Sequence, residues 1–330
     1  MVIAVVGATG MVGRVMLRVL QEQNIIADKL LVVASEQSVG KELEFAGKTL
    51  KVQSLQSALD QKPDIALFSA GSAISKKWAP KFAEQNCFVI DNSSAWRMDD
   101  HIPLVVPEIN GEQITKESKI IANPNCSTIQ MVIALRPLQH IYGIKRLVIS
   151  TYQSVTGSGI IGVNQLMAER EGRQVENKAY THPIDMNIIP HGGDFLDNDY
   201  TTEEMKLVHE TRKILNCPEM RITATVARVP VTGGHSEALN IELKRPYEME
   251  EAKKLIGMMP GVVMLDFPKG NMYPTPLLTE KKDQVFVGRI RRDESVENGI
   301  NMWVVADNLR KGAATNAVQI AKSIIMKGLV

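Results

Sequence analysis

The feature that most constrains how this chain can fold is a glycine-spaced turn at its start. Residues 2–6 are an unbroken apolar run, Gly7-Ala8-Thr9-Gly10-Met11-Val12-Gly13 comes next, and Val12, Val15, Met16, Val19 and Leu20 then recur at helical spacing. In open α/β sheets an apolar strand, a glycine turn and an amphipathic helix, in that order, hold a dinucleotide pyrophosphate. Glycine lets the backbone turn sharply and approach the ligand, and the helix start offers free N–H groups and the positive end of its dipole. The spacing is G-x-x-G-x-x-G rather than the commoner G-x-G-x-x-G, so a tight turn without a ligand is the plain alternative. The remainder of the first third of the chain favours the nucleotide. Strands are expected over residues 30–34, 65–69 and 88–90, with a helix over 75–85, an alternation that specifies a parallel, doubly wound, Rossmann-like sheet.

The pattern changes from about residue 144. Long β-rich runs over 146–154, 221–231, 237–244 and 284–291 are interrupted by helical stretches at 162–171, 203–215 and 249–258, which predicts an α+β second domain. Residues 312–326 return to helical periodicity through Ala317, Ile320, Ala321 and Ile324. A helix there would pack back on the first domain and make it discontinuous. The expected division is a nucleotide-binding domain over 1–127 plus 310–330 and a second domain over 128–309.

A chain of 330 residues with 44% hydrophobic and 23% charged residues has ample core for two domains. Its formal net charge of +1 suggests neither nucleic acid nor an anionic membrane as partner, so any anion site is local. Cys87, Cys126 and Cys217 are too scattered for a disulfide framework or a metal site, and the six histidines do not cluster. No apolar run approaches the roughly 20 residues of a membrane span. The opening run has neither the basic stretch nor the cleavage site of a secretory leader. A reduced, cytoplasmic protein is the expectation.

Two short segments carry the chemistry. Asn123-Pro124-Asn125-Cys126-Ser127-Thr128 follows a short strand (119–122) and precedes an apolar, helix-compatible run (129–138). Pro124 stops the strand and its neighbours are capping types, which puts Cys126 at a helix N-terminus. The dipole and free N–H groups there favour a thiolate able to attack an acyl carbon. A buried, inert thiol is the alternative, and Cys87 and Cys217 fit it. The second segment is Arg228-Val229-Pro230-Val231-Thr232-Gly233-Gly234-His235-Ser236. Arg228 is suited to fork onto a carboxylate. His235 is expected on a flexible turn where its ring titrates near neutral pH. Taken alone, a histidine after two glycines is more often a surface residue. Cofactor choice is read at Ala34-Ser35-Glu36-Gln37-Ser38, where Glu36 suits a ribose and Ser35 and Ser38 equally suit a 2′-phosphate, so this segment alone does not decide.

Six ordered motifs, spread over nearly the whole chain, resemble those of the aspartate-semialdehyde dehydrogenase family. They are G-A-T-G-M-V-G at 7–13, D-N-S-S-A-W-R at 91–97, N-P-N-C-S-T at 123–128, Q-S-V-T-G-S-G at 153–159, E-E-M-K at 203–206 and R-x6-H-S-E around His235. The resemblance implies Cys126 as nucleophile, His235 as acid/base for the hemithioacetal proton and Gln153 as the group that orients the intermediate. It implies Arg228 on the substrate α-carboxylate, Glu203 on its amino group, Lys206 with Arg97 and Asn92 at the phosphate, and Asn125 positioning the reacting groups. For Glu203 and Lys206 the residues alone suggest only a surface pair one helical turn apart. The cofactor would lie on Gly7, Thr9, Gly10, Met11 and Val12, on Ser35 and Ser38, and on Gly71 and Asn92, with its nicotinamide near Ser154, Gly157 and Asn308. No metal is implied.

The resemblance further implies an NADP-linked, reversible conversion of aspartyl phosphate to aspartate semialdehyde through a cysteine thioester. The product would feed lysine (through diaminopimelate), methionine, threonine and isoleucine synthesis. The second domain would bind substrate and form a homodimer or a dimer of dimers. Gln37 stands where many NADP-preferring members have arginine, so NADP is the expectation and NAD use stays open. The rival readings are a reductase of N-acetylglutamyl phosphate, which has no free amino group for Glu203, and a catalytically silent nucleotide-binding relative.

Overall fold

The computed structural model describes residues 1–25 and 27–330. The chain forms two compact units, Met1–Asn125 with Ala313–Val330, and Cys126–Gly312. The first unit contains β1 (Val2–Val6), α1 (Met11–Glu22), β2 (Lys29–Val33), β3 (Glu42–Phe45), β4 (Lys48–Lys51), α2 (Leu55–Asp60), β5 (Ile65–Phe68), α3 (Ser72–Glu84), β6 (Phe88–Asp91), α4 (Pro107–Asn110) and β7 (Ile120–Ala122). Among the described residues its main sheet has the order β2-β1-β5-β6-β7 and every pairing is parallel. Helices cover both faces, which is why β5 and β6 are buried along their whole length. On one face Met16, Val19 and Leu20 of α1 join Ala317, Ile320, Ala321 and Ile324 of the C-terminal helix, Thr315–Met326. On the other, Leu59, Ala79 and Phe82 pack on Phe68 and Val89. The order reverses at β1, and open α/β sheets bind ligands beyond the carboxyl ends of strands at such a point.

The β3–β4 hairpin is not visible in the sequence periodicity. Its turn is Ala46-Gly47 with φ of 49° and 75°, the mirror-image turn that matches strand twist. Alanine stands where asparagine or glycine usually marks that geometry, so the local signal is weak.

The second unit contains α5 (Cys126–Ile141), β8 (Ile144–Ser154), α6 (Gly159–Arg170), α7 (Thr202–Ile214), β9 (Arg221–Val229), β10 (His235–Leu243), α8 (Met249–Gly257), β11 (Val262–Met264), α9 (Pro276–Thr279), β12 (Val285–Asp293) and β13 (Gly299–Ala306). Its described strands form one mixed sheet, β11-β12-β13-β10-β8-β9. Beyond its first two residues, His235 and Ser236, which are both buried, β10 alternates: Glu237, Leu239 and Ile241 are buried on the face toward α5, while Ala238, Asn240 and Glu242 are less so. Strand β13 is not among the expected elements, because Gly299 and Asn301 dilute its apolar run.

The expected fold class holds: a Rossmann-like unit and a second unit built on a mixed sheet. Among the described residues no helix is long and apolar enough to cross a membrane.

Ala46 is an L-residue held at φ 49°, a conformation asparagine tolerates better. Ala46→Asn should therefore raise the denaturation midpoint, by about 0.5–1 kcal/mol in stability. An equal or lower midpoint in urea titration would show that this turn is not strained.

Candidate active site

In the first unit, residues beyond the strand ends shape a tight glycine turn. Gly7 (φ +85°) follows β1, and a Cβ on it would stand 2.2 Å from the Ser69 carbonyl oxygen. A Cβ on Gly13 would stand 2.1 Å from the Gly7 carbonyl oxygen. Gly7 and Ala8 both donate to the Val33 carbonyl, at 2.8 and 3.0 Å, which fixes the turn. Gly10, exposed, caps α1 without a side-chain bond, and the first turn, Met11 and Val12 included, carries no acid. Open N–H groups without a competing carboxylate fit a pyrophosphate. Thr9 accepts Arg14 Nε at its carbonyl. Gly71 caps α3 at φ +84° with nothing near an added Cβ, so backbone conformation rather than crowding requires glycine there. Ser35 is exposed, Ser38 is half-buried, and Lys41 Nζ donates to Ser38 Oγ at 3.5 Å. Sequence reasoning stops at Ser38 and misses Lys41. The short 3-10 turn Glu36–Ser38 is what brings it round.

At the ends of β6 and β7 lies a buried polar cluster. Asn123 Nδ2 donates to Asn92 Oδ1 at 2.5 Å, and Asn316 Nδ2 donates to Asn123 Oδ1 at 2.7 Å. Arg97, 7% exposed, donates to the carbonyls of Asn123 and Asn92, both at 3.0 Å. These bonds hold one edge of its guanidinium. Asn125 is also buried. Asn123, which the sequence marks only as part of its motif, is the hub.

The second unit begins with the thiol. Cys126 is the first residue of α5 and half-buried, whereas Cys87 and Cys217 are buried, with burial pushing the Cys217 thiol up to about 11 and raising that of Cys87 further. A Cβ on Gly312 would lie 2.8 Å from Cys126 Cβ, so only glycine fits beside the thiol-bearing residue. The next residue, Ser127, accepts Gln153 Nε2 at 3.0 Å, which ties the end of β8 to the cysteine turn.

Gly157 organises the rest. A Cβ there would stand 2.4 Å from Arg228 Nη1 and 3.2 Å from His235 Nε2. Two side chains of the 228–236 segment thus meet at a glycine distant from them in sequence. Arg228 Nη1 also donates to the Ser154 carbonyl at 3.2 Å. The Ser154 backbone N–H donates to His235 Nδ1 at 3.0 Å. A neutral ring bonded in that way carries its proton on Nε2, an atom that is buried and has no partner. The expectation of a flexible, near-neutral histidine is corrected here. His235 is the first residue of β10 and fully buried, and desolvation, helped by the Arg228 charge, lowers its pKa to about 3. The ring is a neutral hydrogen-bond donor.

Glu203 and Lys206 pair at 2.9 Å on α7. Glu203 is buried and its charge reaches His235, so the pair is more than the surface contact the residues alone suggest. Its neighbour Glu204 closes a capping box with Thr201 and accepts the Val226 N–H, a structural role. Asn308 Oδ1 accepts Thr156 Oγ1 at 2.9 Å. A cavity of about 230 Å³ beside Arg228 is lined by Ser158, Tyr180, His191, Gly192 and Asp194. Among the described residues no group of His, Cys, Asp or Glu is placed to hold a metal ion.

Known proteins resemble this chain along nearly its whole length. Residues 2–117 match the family model for the semialdehyde dehydrogenase NAD binding domain, and residues 135–311 match that for the semialdehyde dehydrogenase dimerisation domain. The aspartate-semialdehyde dehydrogenase of Aquifex aeolicus is 50% identical over 99% of both chains. The chain belongs to the aspartate-semialdehyde dehydrogenase family. It is a nicotinamide-dependent oxidoreductase of amino-acid biosynthesis. A crystal structure of aspartate semialdehyde dehydrogenase II from Vibrio cholerae complexed with ASA is 46% identical over 98% of both chains, with a TM-score of 0.94. The enzyme from Candida albicans with NADP is 25% identical, covers 100% of this chain and 99% of that one, and has a TM-score of 0.79.

Because Gly157 sits between Arg228 and His235, Gly157→Ala should push both aside and lower kcat/KM by roughly 100-fold or more, while the fold survives. Steady-state kinetics with circular dichroism checks this, and near-normal turnover would show that the close approach is dispensable.

Proposed function

We propose that this chain catalyses the reversible, NADP-linked reductive dephosphorylation of aspartyl phosphate to aspartate semialdehyde, with Cys126 as nucleophile. The observation that carries the assignment is the meeting of Arg228, His235 and Gly157 in the unit whose first residue is Cys126. When bound, the nicotinamide supplies or accepts the hydride.

In the biosynthetic direction Cys126 sulfur attacks the acyl carbon, the carbon–oxygen bond to phosphate breaks, and a thioester forms on Cys126. Lys206, Arg97 and Asn92 receive the departing phosphate. Arg228 forks onto the α-carboxylate and Glu203 accepts the α-ammonium group. After reduction the hemithioacetal oxygen bears negative charge, which His235 Nε2–H and the Gln153 amide are suited to stabilise. Collapse returns the thiolate and releases the aldehyde. Asn125, next to Cys126, positions the reacting groups. His235, bonded through Nδ1, acts by donating from Nε2 and need not become an imidazolium.

The cofactor is held at Gly7, Thr9, Gly10, Met11 and Val12 and at Gly71 and Asn92, with the nicotinamide near Ser154, Gly157 and Asn308. NADP is preferred. Ser35 and Ser38 offer hydroxyls to the 2′-phosphate, and Lys41 beside Ser38 supplies a cation where Gln37 supplies none. The protein works as a homodimer, and the nucleotide-binding domain spans 1–127 and 310–330. Support for the dimer comes from the outer face of the second sheet, where a cavity of about 760 Å³ is lined by residues including Tyr273, Pro274 and Trp303, and the half-exposed Tyr152 ring packs 5.4 Å from that of Trp303.

The purified protein should reduce NADP with aspartate semialdehyde only when phosphate is present, and Cys126→Ser should abolish turnover. Inactivity of folded protein with either cofactor would overturn the assignment, and turnover of N-acetylglutamate semialdehyde instead would move it to that substrate. Lys41→Ala should raise KM for NADP about tenfold with a much smaller effect on NAD. Equal effects on the two cofactors would remove Lys41 from the 2′-phosphate site.

A further inference from the structure

Glu237 is a buried acid for which the proposed reaction has no use. It lies two residues beyond His235 on the same face of β10, opposite Thr151 on β8 and Val304 on β13, and its exposure is 0%. Its carboxyl group is turned toward Gln130 and Ser127 of α5, the helix that begins at Cys126. Neither carboxyl oxygen completes a hydrogen bond of ordinary geometry. An ionised carboxylate in such a place needs a cation or several donors. The elements packed on it offer Ser127 and Gln130 from α5, Thr151 from β8 and Val304 from β13, none of them charged. The nearest titratable group on its own strand, His235, is itself held neutral.

The neighbours specify a direction for the hydrogen bonds. Gln130 Nε2 donates to the His235 carbonyl at 3.2 Å, and its Oε1 is buried without a donor. Gln153 Nε2 donates to Ser127 Oγ at 3.0 Å, and the Glu237 carboxyl faces the same Ser127 side chain. A protonated carboxyl closes the gap: its O–H gives Gln130 Oε1 a donor, and its carbonyl oxygen accepts from Ser127. The chain then runs from Gln153 through Ser127 and Glu237 to Gln130 in one sense. A carboxylate has no proton for Gln130 and breaks it.

We propose that Glu237 is a neutral carboxylic acid serving as a positioning residue, one that sets the Ser127 hydroxyl and through it the Gln153 amide behind the nucleophile. Burial raises its pKa well above the ordinary carboxylate range, in agreement. The functional part of this inference rests on the roles proposed for Cys126 and Gln153, whereas the protonation state does not.

Two measurements test it on the full-length enzyme. The infrared difference spectrum between wild type and Glu237→Gln at about pH 8, well above the ordinary range of a carboxyl group, should show the carbonyl stretch of a protonated acid in the wild type. Carboxylate bands in its place would overturn the proposal. In turnover, Glu237→Leu should lower kcat about 10- to 100-fold with little change in semialdehyde KM, the loss of one aligned hydrogen bond in the transition state. Glu237→Gln, which can donate from nitrogen and accept at oxygen, should recover kcat to within about threefold of the wild type. A Gln variant as impaired as the Leu variant would mean that a charge is needed and would also overturn it. If Glu237→Leu does not fold, the Gln variant and the spectrum still decide. Inactive wild-type protein showing the protonated band would sink the catalytic assignment and leave the protonation standing.

Discussion

The backbone N–H of Ser154 points at Nδ1 of His235 from 3.0 Å, and the rest of the site is arranged around that bond. It fixes which nitrogen bears the proton, and the Arg228 charge together with complete burial keeps a second proton off. A histidine so held cannot act as a freely titrating base. It keeps one N–H, on Nε2, for the donor role proposed above. Gly157, by having no side chain, lets the ring and the arginine approach the same point. The first turn of α5 and the ends of β8 and β10 are therefore one mechanical unit. A buried polar layer of this kind is stable only when its donors and acceptors are matched in direction as well as number. That matching gives the Glu237 proton its importance.

Much of this is legible in the sequence. The strand-turn-helix at residues 2–20 is local: periodicity and glycine spacing report directly on β1, the turn and α1. The position of Cys126 at the head of a helix is also local, set by Pro124 and the capping types around it. The structure has both. The C-terminal helix is legible from its periodicity, and its apolar residues, from Ala317 to Ile324, are in the core of the first unit.

What stays hidden is non-local. His235 after two glycines reads as a surface turn, because nothing in the neighbouring residues says that the Ser154 amide and Arg228 will surround it. Glu203 and Glu204 look alike in sequence, yet one pairs with Lys206 and the other closes a helix cap, a difference made by Thr201 and Val226. Lys41 reaches Ser38 only through a 3-10 turn that periodicity does not report. Glu237 is the extreme case. In sequence it is one more polar position on an alternating strand, and only β8, β13 and α5 together reveal that it is sealed from water.

The discontinuity of the first unit has a consequence for how the protein comes into being. Its sheet is synthesised first, but half of one of the two helical layers that cover it, the helix that packs beside α1, is encoded after residue 312. During translation the sheet face that Ala317, Ile320 and Ile324 will seal stays bare while the whole second unit emerges from the ribosome. The second unit, continuous in sequence, can complete itself sooner. Vectorial synthesis thus inverts the order that the chain suggests: the domain begun first is finished last, and its apolar sheet face is the surface a nascent-chain chaperone has the longest time to meet.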